Sequence, residues 1–208
     1  DMVAAMRRKV SDWDDIVYQT GLQQDYTASI SNNNEHTSYY WSVGYADREG
    51  VIVGNRYTNL RTRLNLKSKV TDWMTVGMNT QFAERKGGYL QADHGQRENN
   101  SPYTVFTMDQ ESPYFRYPSG DNNTLNPFYE NTFIDRRQIT QTLNASIFAI
   151  VSLPFGIEYQ MNYTPYFKWY EYYNHNSSES PSYEALGGSA TRQHQKTYNW
   201  QLDNVIRW

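Results

Sequence analysis

The sequence predicts an all-β fold, an antiparallel meander of about seven strands. Apolar and polar residues alternate with a period of two in several segments, which is the pattern of a strand whose two faces meet different surroundings. Clusters of Gly, Pro, Asn and Asp separate these segments and mark turns. Three of the connections are tight turns, which favours antiparallel pairing of successive strands.

The composition limits the classes to which this chain can belong. Among 208 residues are 19 Tyr, 8 Phe and 6 Trp, so much of the apolar surface comes from side chains with one polar end, suited to interfaces. A net charge of −3, with cations spread over several strands, predicts no nucleic-acid partner. The absence of Cys excludes disulfides and thiolate chemistry. No segment approaches the roughly 18 apolar residues of a transmembrane helix.

The first part of the chain is predicted to contain a connector and two strands. Residues 1–22 form the connector, a short helix or turn that ends at Gly21. The first strand begins at Gln23, and an asparagine run at residues 32–34 predicts a tight turn. The second strand leads into a polar link at residues 47–58. The apolar positions of both strands are Tyr26, Ala28, Ile30, Tyr39, Trp41, Val43 and Tyr45.

The third and fourth strands show the clearest alternation. Leucines occupy even positions of the third strand, cationic residues occupy odd positions, and a break at residues 71–73 precedes the fourth strand. The apolar positions include Leu60, Leu64, Leu66 and Val76, and the cations opposite them are Arg61, Arg63 and Lys67.

Residues 87–137 lose the alternation and are predicted to form a long loop. Loops of this length are usually functional or disordered, and the many aromatic residues here disfavour disorder. Their rings can stack on sugar faces or hold a peptide, or they can pack the loops against one another. The candidates for substrate binding are Tyr103, Phe106, Tyr114, Phe115, Tyr117, Phe128 and Tyr129.

The alternation returns at residues 139–151 and, after a turn at residues 154–156, at residues 157–164. A second long loop is predicted at residues 168–193, before a last strand that ends near Ile206. Ile147 and Leu202 lie on the apolar side of these strands. Glu158, Gln160 and Asp203 lie on the polar side.

The order of the connections predicts a transmembrane β-barrel. Short and long connections alternate, as in outer-membrane barrels with tight periplasmic turns and extended extracellular loops. The polar side is too charged to be the packed interior of a small barrel, so it is predicted to line a wet lumen. The residues predicted to face lipid are Leu60, Leu64, Leu66, Val76, Ile147 and Leu202, and those predicted to line the lumen are Arg61, Arg63, Lys67, Glu158, Gln160 and Asp203. The alternative is a soluble β-rich carbohydrate-binding module.

Nothing in the sequence predicts an enzyme, a cofactor or a metal site. The four histidines lie in turns or loops without the i, i+4 spacing of metal ligands. Asp109 and Glu111 are close in sequence, but two carboxylates catalyse glycoside cleavage only when they converge in space. We therefore expect no catalytic residues.

Several stretches resemble the SusC/RagA class of TonB-dependent outer-membrane transporters of Bacteroidetes. They are DWDD at residues 12–15, QTGLQQDY at 19–26, SYYWSVGY at 38–45, EGVI at 49–52 and RLNLKSKVTDWMTVG at 63–77. The likeness is dense from Asp12 to Phe82 and thins beyond it.

The resemblance implies a barrel of about 22 strands, filled by a plug, covered by a SusD-like surface lipoprotein and driven by the TonB–ExbB–ExbD complex. Such a transporter lies in outer-membrane lipid and imports glycans or peptides. Since no plug or TonB box is present and seven strands are too few to close such a barrel, residues 23–208 are expected to be an internal barrel segment.

Overall fold

In a computed structural model, which describes residues 15, 17–90, 92, 133–180 and 183–208, the chain forms one antiparallel sheet. Its seven strands lie side by side in the order of the sequence, so the predicted all-β meander is confirmed. The strands are β1 (Gln23–Asn33), β2 (Thr37–Glu49), β3 (Arg56–Thr71), β4 (Met74–Gly87), β5 (Ile134–Leu153), β6 (Ile157–Asn176) and β7 (Ser189–Arg207).

The connections differ in length at the two ends of the sheet. Residues 34–36, 72–73 and 154–156 connect strands at one end, which we call the short-turn end. Residues 50–55, 88–133 and 177–188 connect them at the other, the long-connection end. The chain enters β1 at the long-connection end, where the backbone N–H of Gln19 donates to the carbonyl of Val51 at 2.8 Å.

The strands extend further than the alternation predicted. β5 begins at Ile134, and the second long connection is residues 177–188 instead of 168–193, because β6 and β7 continue toward the long-connection end. In β6, Tyr166 to Tyr173 place aromatic side chains on both faces, so the alternation disappears although the strand does not. The beginning of β7 is polar on both faces, with the same effect.

Local chemistry explains the short turns. The side-chain oxygen Oδ1 of Asn34 accepts hydrogen bonds from the backbone N–H groups of His36 (3.0 Å) and Thr37 (2.7 Å), which closes the first turn. In the turn at Pro154–Gly156, Gly156 has a φ of 76°, where glycine carries no steric cost. Phe155 adopts a φ of 67° in the same turn with 91% of its surface exposed.

The sheet is one layer thick across the described residues. The apolar side chains buried there are Val17, Ala46, Ala92, Phe133 and Ala145, which is too few for a packed core. β1 is exposed along its whole length, and neither β1 nor β7 pairs with a further described strand on its outer side. Both faces and both edges of this sheet therefore need other partners. The described ranges contain no helix that is long and apolar enough to cross a membrane.

One close contact fixes the packing of β4 against β5. Gly77 pairs with Phe148, and a Cβ on Gly77 would lie 2.2 Å from the Cζ of that ring. The same Cβ would lie 2.8 Å from the carbonyl oxygen of Leu66 in β3. The end of the Phe148 ring thus occupies the space above the glycine, and any side chain at residue 77 would clash with it.

We predict that Gly77→Ala destabilises the complete protein by roughly 1–3 kcal/mol, the usual cost of overpacking. The change is measured by thermal unfolding of the purified protein in detergent. Unfolding is detected as the shift in electrophoretic mobility that β-barrels show on heating. Gly77→Ala combined with Phe148→Ala should recover part of the loss, and Thr75→Ala on the same face serves as the control. Equal stability of Gly77→Ala and Thr75→Ala would contradict the proposed contact.

Candidate functional site: the two faces of the sheet

The strand register assigns every side chain to one of two faces. Leu64 pairs with Trp41 on one side and with Thr80 on the other, and residues paired across antiparallel strands share a face. We call this the apolar face. It comprises the even positions of β1, β3 (to Ser68), β4 and β7 and the odd positions of β2, β5 and β6. The remaining positions form the polar face.

The structure brings each predicted set of residues together. All residues predicted to face lipid lie on the apolar face, and all residues predicted to line the lumen lie on the polar face. The assignment of lipid to one face and a lumen to the other remains a prediction. The aromatic candidates for substrate binding, Tyr103 to Tyr129, lie outside the described residues.

A band without charge crosses the apolar face of all seven strands. Its upper row, toward the long-connection end, consists of Ala28, Val43, Thr62, Phe82, Leu143, Phe167 and Tyr198, which the register aligns. From this row to the short turns, the apolar face carries no Asp, Glu, Lys or Arg. Ten residues separate Leu143 from Leu153, which is about 26 Å of height for strands tilted by about 40°. Outer-membrane barrels carry an apolar band of about 25 Å.

The charged residues of the apolar face lie above this band, toward the long-connection end. Arg56 forms an ion pair with Asp47, and Lys86 Nζ lies 2.9 Å from Glu84 Oε1. Aromatic rings mark the border: Phe167 stacks on Tyr198 with centroids 4.7 Å apart and on Trp169 at 5.6 Å. Aromatic rings beneath a charged zone are typical of the boundary between membrane and water.

The polar face is strongly basic, although the whole chain has a net charge of −3. The described strands place nine cations and three carboxylates on it. By contrast, the apolar face has equal numbers of each, all above its band. The cations of the polar face are Arg48, Arg61, Arg63, Lys67, Lys69, Arg85, Arg136, Lys168 and Arg207, and the carboxylates are Asp25, Glu158 and Asp203.

Each carboxylate of the polar face is already hydrogen-bonded. Arg61 Nη2 donates to both Asp25 oxygens at 2.7 and 2.9 Å, and Arg207 Nη1 donates to Glu158 at 2.7 Å. Asp203 accepts from the Gln201 amide at 3.0 Å. Nine cations against three carboxylates leave an excess of positive charge on this face of the described strands.

Arg61 reaches Asp25 by crossing Gly44 of the intervening strand. A Cβ on Gly44 would lie 3.3 Å from Arg61 Nη2 and 3.3 Å from Thr27 Oγ1. Since Gly44 pairs with both Thr27 and Arg61, a larger side chain there would occupy the path of the guanidinium group.

The short-turn end of the polar face has a cleft of about 380 Å³, lined by residues that include Glu35, His36, Lys67, Lys69 and Thr75. Lys69 Nζ lies 2.7 Å from Asp72 in the adjacent turn. This hydrogen bond lowers the pKa of the Asp72 carboxyl below its usual value. Lys67 forms no ion pair among the described residues.

The sequence did not single out the residues at the opposite end of the polar face. Tyr57, Arg48 and Arg85 converge there, and Gln138 and Thr140 face Tyr172 and Tyr170 across β5 and β6. The sequence predicts a polar link at Tyr57 and a loop at Tyr170, whereas the structure places them in β3 and β6. Tyr57 lies at an odd position of β3 and Tyr170 at an even position of β6, as the other polar-face residues of these strands do. This parity was the signal in the sequence that could have assigned them to the polar face.

Comparisons with known proteins agree with the resemblance. The chain is 25% identical over 150 residues to the TonB-dependent receptor P39 of Formosa agariphila, covering 69% of this chain and 14% of that protein. It is 24% identical over 139 residues to the TonB-dependent receptor SusC of Bacteroides thetaiotaomicron, covering 56% of this chain and 14% of SusC. The chain thus spans about a seventh of the length of these curated relatives. No protein-family model matches the sequence.

Solved structures show the same fold. The RagAB peptide transporter matches with a TM-score of 0.68 and 18% identity, over 92% of this chain and 23% of that chain. The RagAB peptide importer in its closed-closed state matches with a TM-score of 0.61, also at 18% identity, over 93% of this chain and 23% of that one. The resemblance to SusC/RagA-type proteins is therefore confirmed, and these relatives are receptors and importers instead of enzymes. Among the described residues, no three His, Asp or Glu converge as metal ligands would.

We predict that the Arg61–Asp25 ion pair depends on the glycine between its partners. A double-mutant cycle with Arg61→Gln and Asp25→Asn should give a coupling of about 0.2–1 kcal/mol, because both side chains are partly exposed. The same cycle in a Gly44→Val background should give no coupling. Urea unfolding of the complete protein in lipid vesicles measures both cycles. If the coupling is as large in the Gly44→Val background as with glycine, the ion pair does not depend on the space over residue 44.

Proposed function

We propose that this chain is a segment of the barrel wall of a TonB-dependent outer-membrane transporter of the SusC type. Its apolar face contacts lipid and its polar face lines the lumen. The uncharged band of the apolar face supports this proposal most strongly, because its height in β5 matches a bilayer while the opposite face carries charged residues at the same level in β3, β6 and β7. Side chains alternate between the apolar and the polar face in all seven strands, as they do in the wall of a transmembrane barrel.

The alternative of a soluble carbohydrate-binding module fits the sheet poorly. A soluble β domain buries one face of its sheet against a second layer. Here large apolar side chains such as Leu60, Ile147 and Leu202 remain 39%, 43% and 46% exposed on one side of a single sheet. Lipid would cover this surface in the complete barrel.

The transporter proposal assigns roles to parts beyond the sheet. The cargo is a glycan or a peptide, and the loop aromatics of residues 87–137 are candidates to contact it. A SusD-like surface lipoprotein covers the long-connection end, which faces outward. The TonB–ExbB–ExbD complex supplies energy through a plug and TonB box that belong to other parts of the protein.

We predict that Leu64→Arg blocks assembly of the complete transporter in the outer membrane. Leu64 lies inside the uncharged band, one row below its upper row at Thr62, where the cost of an arginine facing lipid falls between the roughly 0–1 kcal/mol of the interface and the roughly 2–4 kcal/mol of the bilayer midplane. The measurement is the amount of folded, heat-modifiable barrel in outer-membrane fractions of cells that produce the variant.

The matched control is Arg63→Leu at the adjacent position on the polar face. This variant should assemble as the native protein does, because a leucine in a wide wet lumen breaks no buried ion pair. Equal assembly of the two variants would refute the assignment of lipid and lumen to the two faces.

A further inference from the structure

A cleft opens on the polar face near the long-connection end, between Tyr57 of β3 and Gln138 of β5. Its volume is about 350 Å³, and its lining includes Tyr57, Arg85, Gly87, Gln138 and Thr140. These five residues belong to the polar face, and Asn55, Arg56 and Gly88 complete the lining at the long-connection end. Sites for small molecules begin at about 300 Å³, so the cleft suits a single sugar or amino-acid unit.

Gly87 forms the floor of this cleft. It pairs with Gln138 on β5, and a Cβ at this position would lie 3.3 Å from the Cβ of Tyr57. Any side chain at residue 87 would therefore occupy the space beside the tyrosine. Because residue 87 of β4 is glycine, the space between Tyr57 of β3 and Gln138 of β5 stays open.

Two guanidinium groups lie over the ring of Tyr57. The Cζ atom of Arg48 is 5.7 Å from the ring centroid and that of Arg85 is 5.8 Å, both within the range of cation–π attraction. Arg48 also donates a hydrogen bond to the Tyr57 hydroxyl at 2.9 Å. Arg85 also lines the cleft, so the contact with the ring holds its guanidinium beside the space that a ligand would occupy.

The charge around the cleft indicates what it binds. Arg85 forms no ion pair among the described residues. Beside it, Arg48 lies 3.9 Å from the Asp25 carboxylate, which is bonded to Arg61. A planar guanidinium with free donors binds a carboxylate in a bidentate manner. The excess of cations along the polar face adds a field that attracts anions.

We propose that this cleft is a subsite for a carboxylate of the transported substrate, bound by Arg85 and positioned by Tyr57 and Arg48. The Gln138 amide and the Thr140 hydroxyl offer further hydrogen bonds to the same unit. Tyr172 and Tyr170, which pair with these two residues, provide neighbouring aromatic surface. The inference rests on the proposed function, since it requires that the polar face lines the lumen.

Acidic peptides and acidic glycans both carry carboxylates, so the test uses both. The complete transporter is titrated with an octapeptide of alternating Glu and Ala, with its Gln and Ala counterpart, with oligogalacturonate and with a neutral galactose oligomer. We expect at least one acidic probe to bind more tightly than its neutral counterpart. Arg85→Gln should weaken binding of that probe about tenfold and leave the neutral probes unchanged, because it removes a charge-assisted hydrogen bond.

Lys86→Gln is the matched control, since it removes one cation from the next residue of β4, on the apolar face. It should not change the affinity for acidic probes. The subsite would be overturned if the acidic and neutral probes bind the native protein equally, or if Arg85→Gln and Lys86→Gln have the same effect.

A labelling experiment separates failure of the subsite from failure of the proposed function. This chain contains no cysteine, so Arg85→Cys introduces a thiol at the cleft. A membrane-impermeant maleimide should label it in intact cells. An unlabelled thiol would overturn both the lumen assignment and the subsite, whereas labelling without any preference for acidic probes would overturn the subsite alone.

Discussion

Backbone hydrogen bonding between neighbouring strands is the constraint on which the rest of this structure depends. The ladder runs without a crossover from β1 to β7 and satisfies the backbone of a sheet that has no second layer. In lipid an unpaired backbone group costs several kcal/mol, so a membrane wall has to be built from such ladders. The unpaired outer edges of β1 and β7 in the described residues are the places where further strands of a barrel would continue the ladder.

Because the sheet is a single layer, each strand has to meet two different environments. The two faces share one backbone and differ only in side chains. Of two successive residues in a strand, one side chain therefore suits the apolar face and the next suits the polar face. On the apolar face the charged residues are confined above a band of bilayer height. On the polar face charges continue to the short turns. A shift of one residue in β3 would exchange its two faces and place Arg63 and Lys67 in the band.

Three glycines of the polar face accommodate large neighbours. Gly44 lies beneath the path of Arg61, Gly77 lies beneath the ring of Phe148, and Gly87 leaves the space beside Tyr57 open. In each case a long or aromatic side chain lies where a side chain at the glycine would crowd it. The surface of the polar face is therefore uneven, with depressions at its glycines that the residue types alone would not predict. Its excess positive charge lies along this uneven surface.

The sequence by itself determined the strands, their order and the two sets of residues that share a face, because parity is a local property of an extended chain. It placed Leu60 to Leu66 opposite Arg61 to Lys67 without any tertiary information. It missed the outer halves of β6 and β7, since aromatic residues such as Tyr166 and Phe167 on both faces, or polar residues on both, remove the alternation. The excess of cations on one face, the Arg61 contact across Gly44 and the cleft beside Tyr57 were decided only by the tertiary structure. Each depends on the register between strands, which joins residues that are distant in sequence.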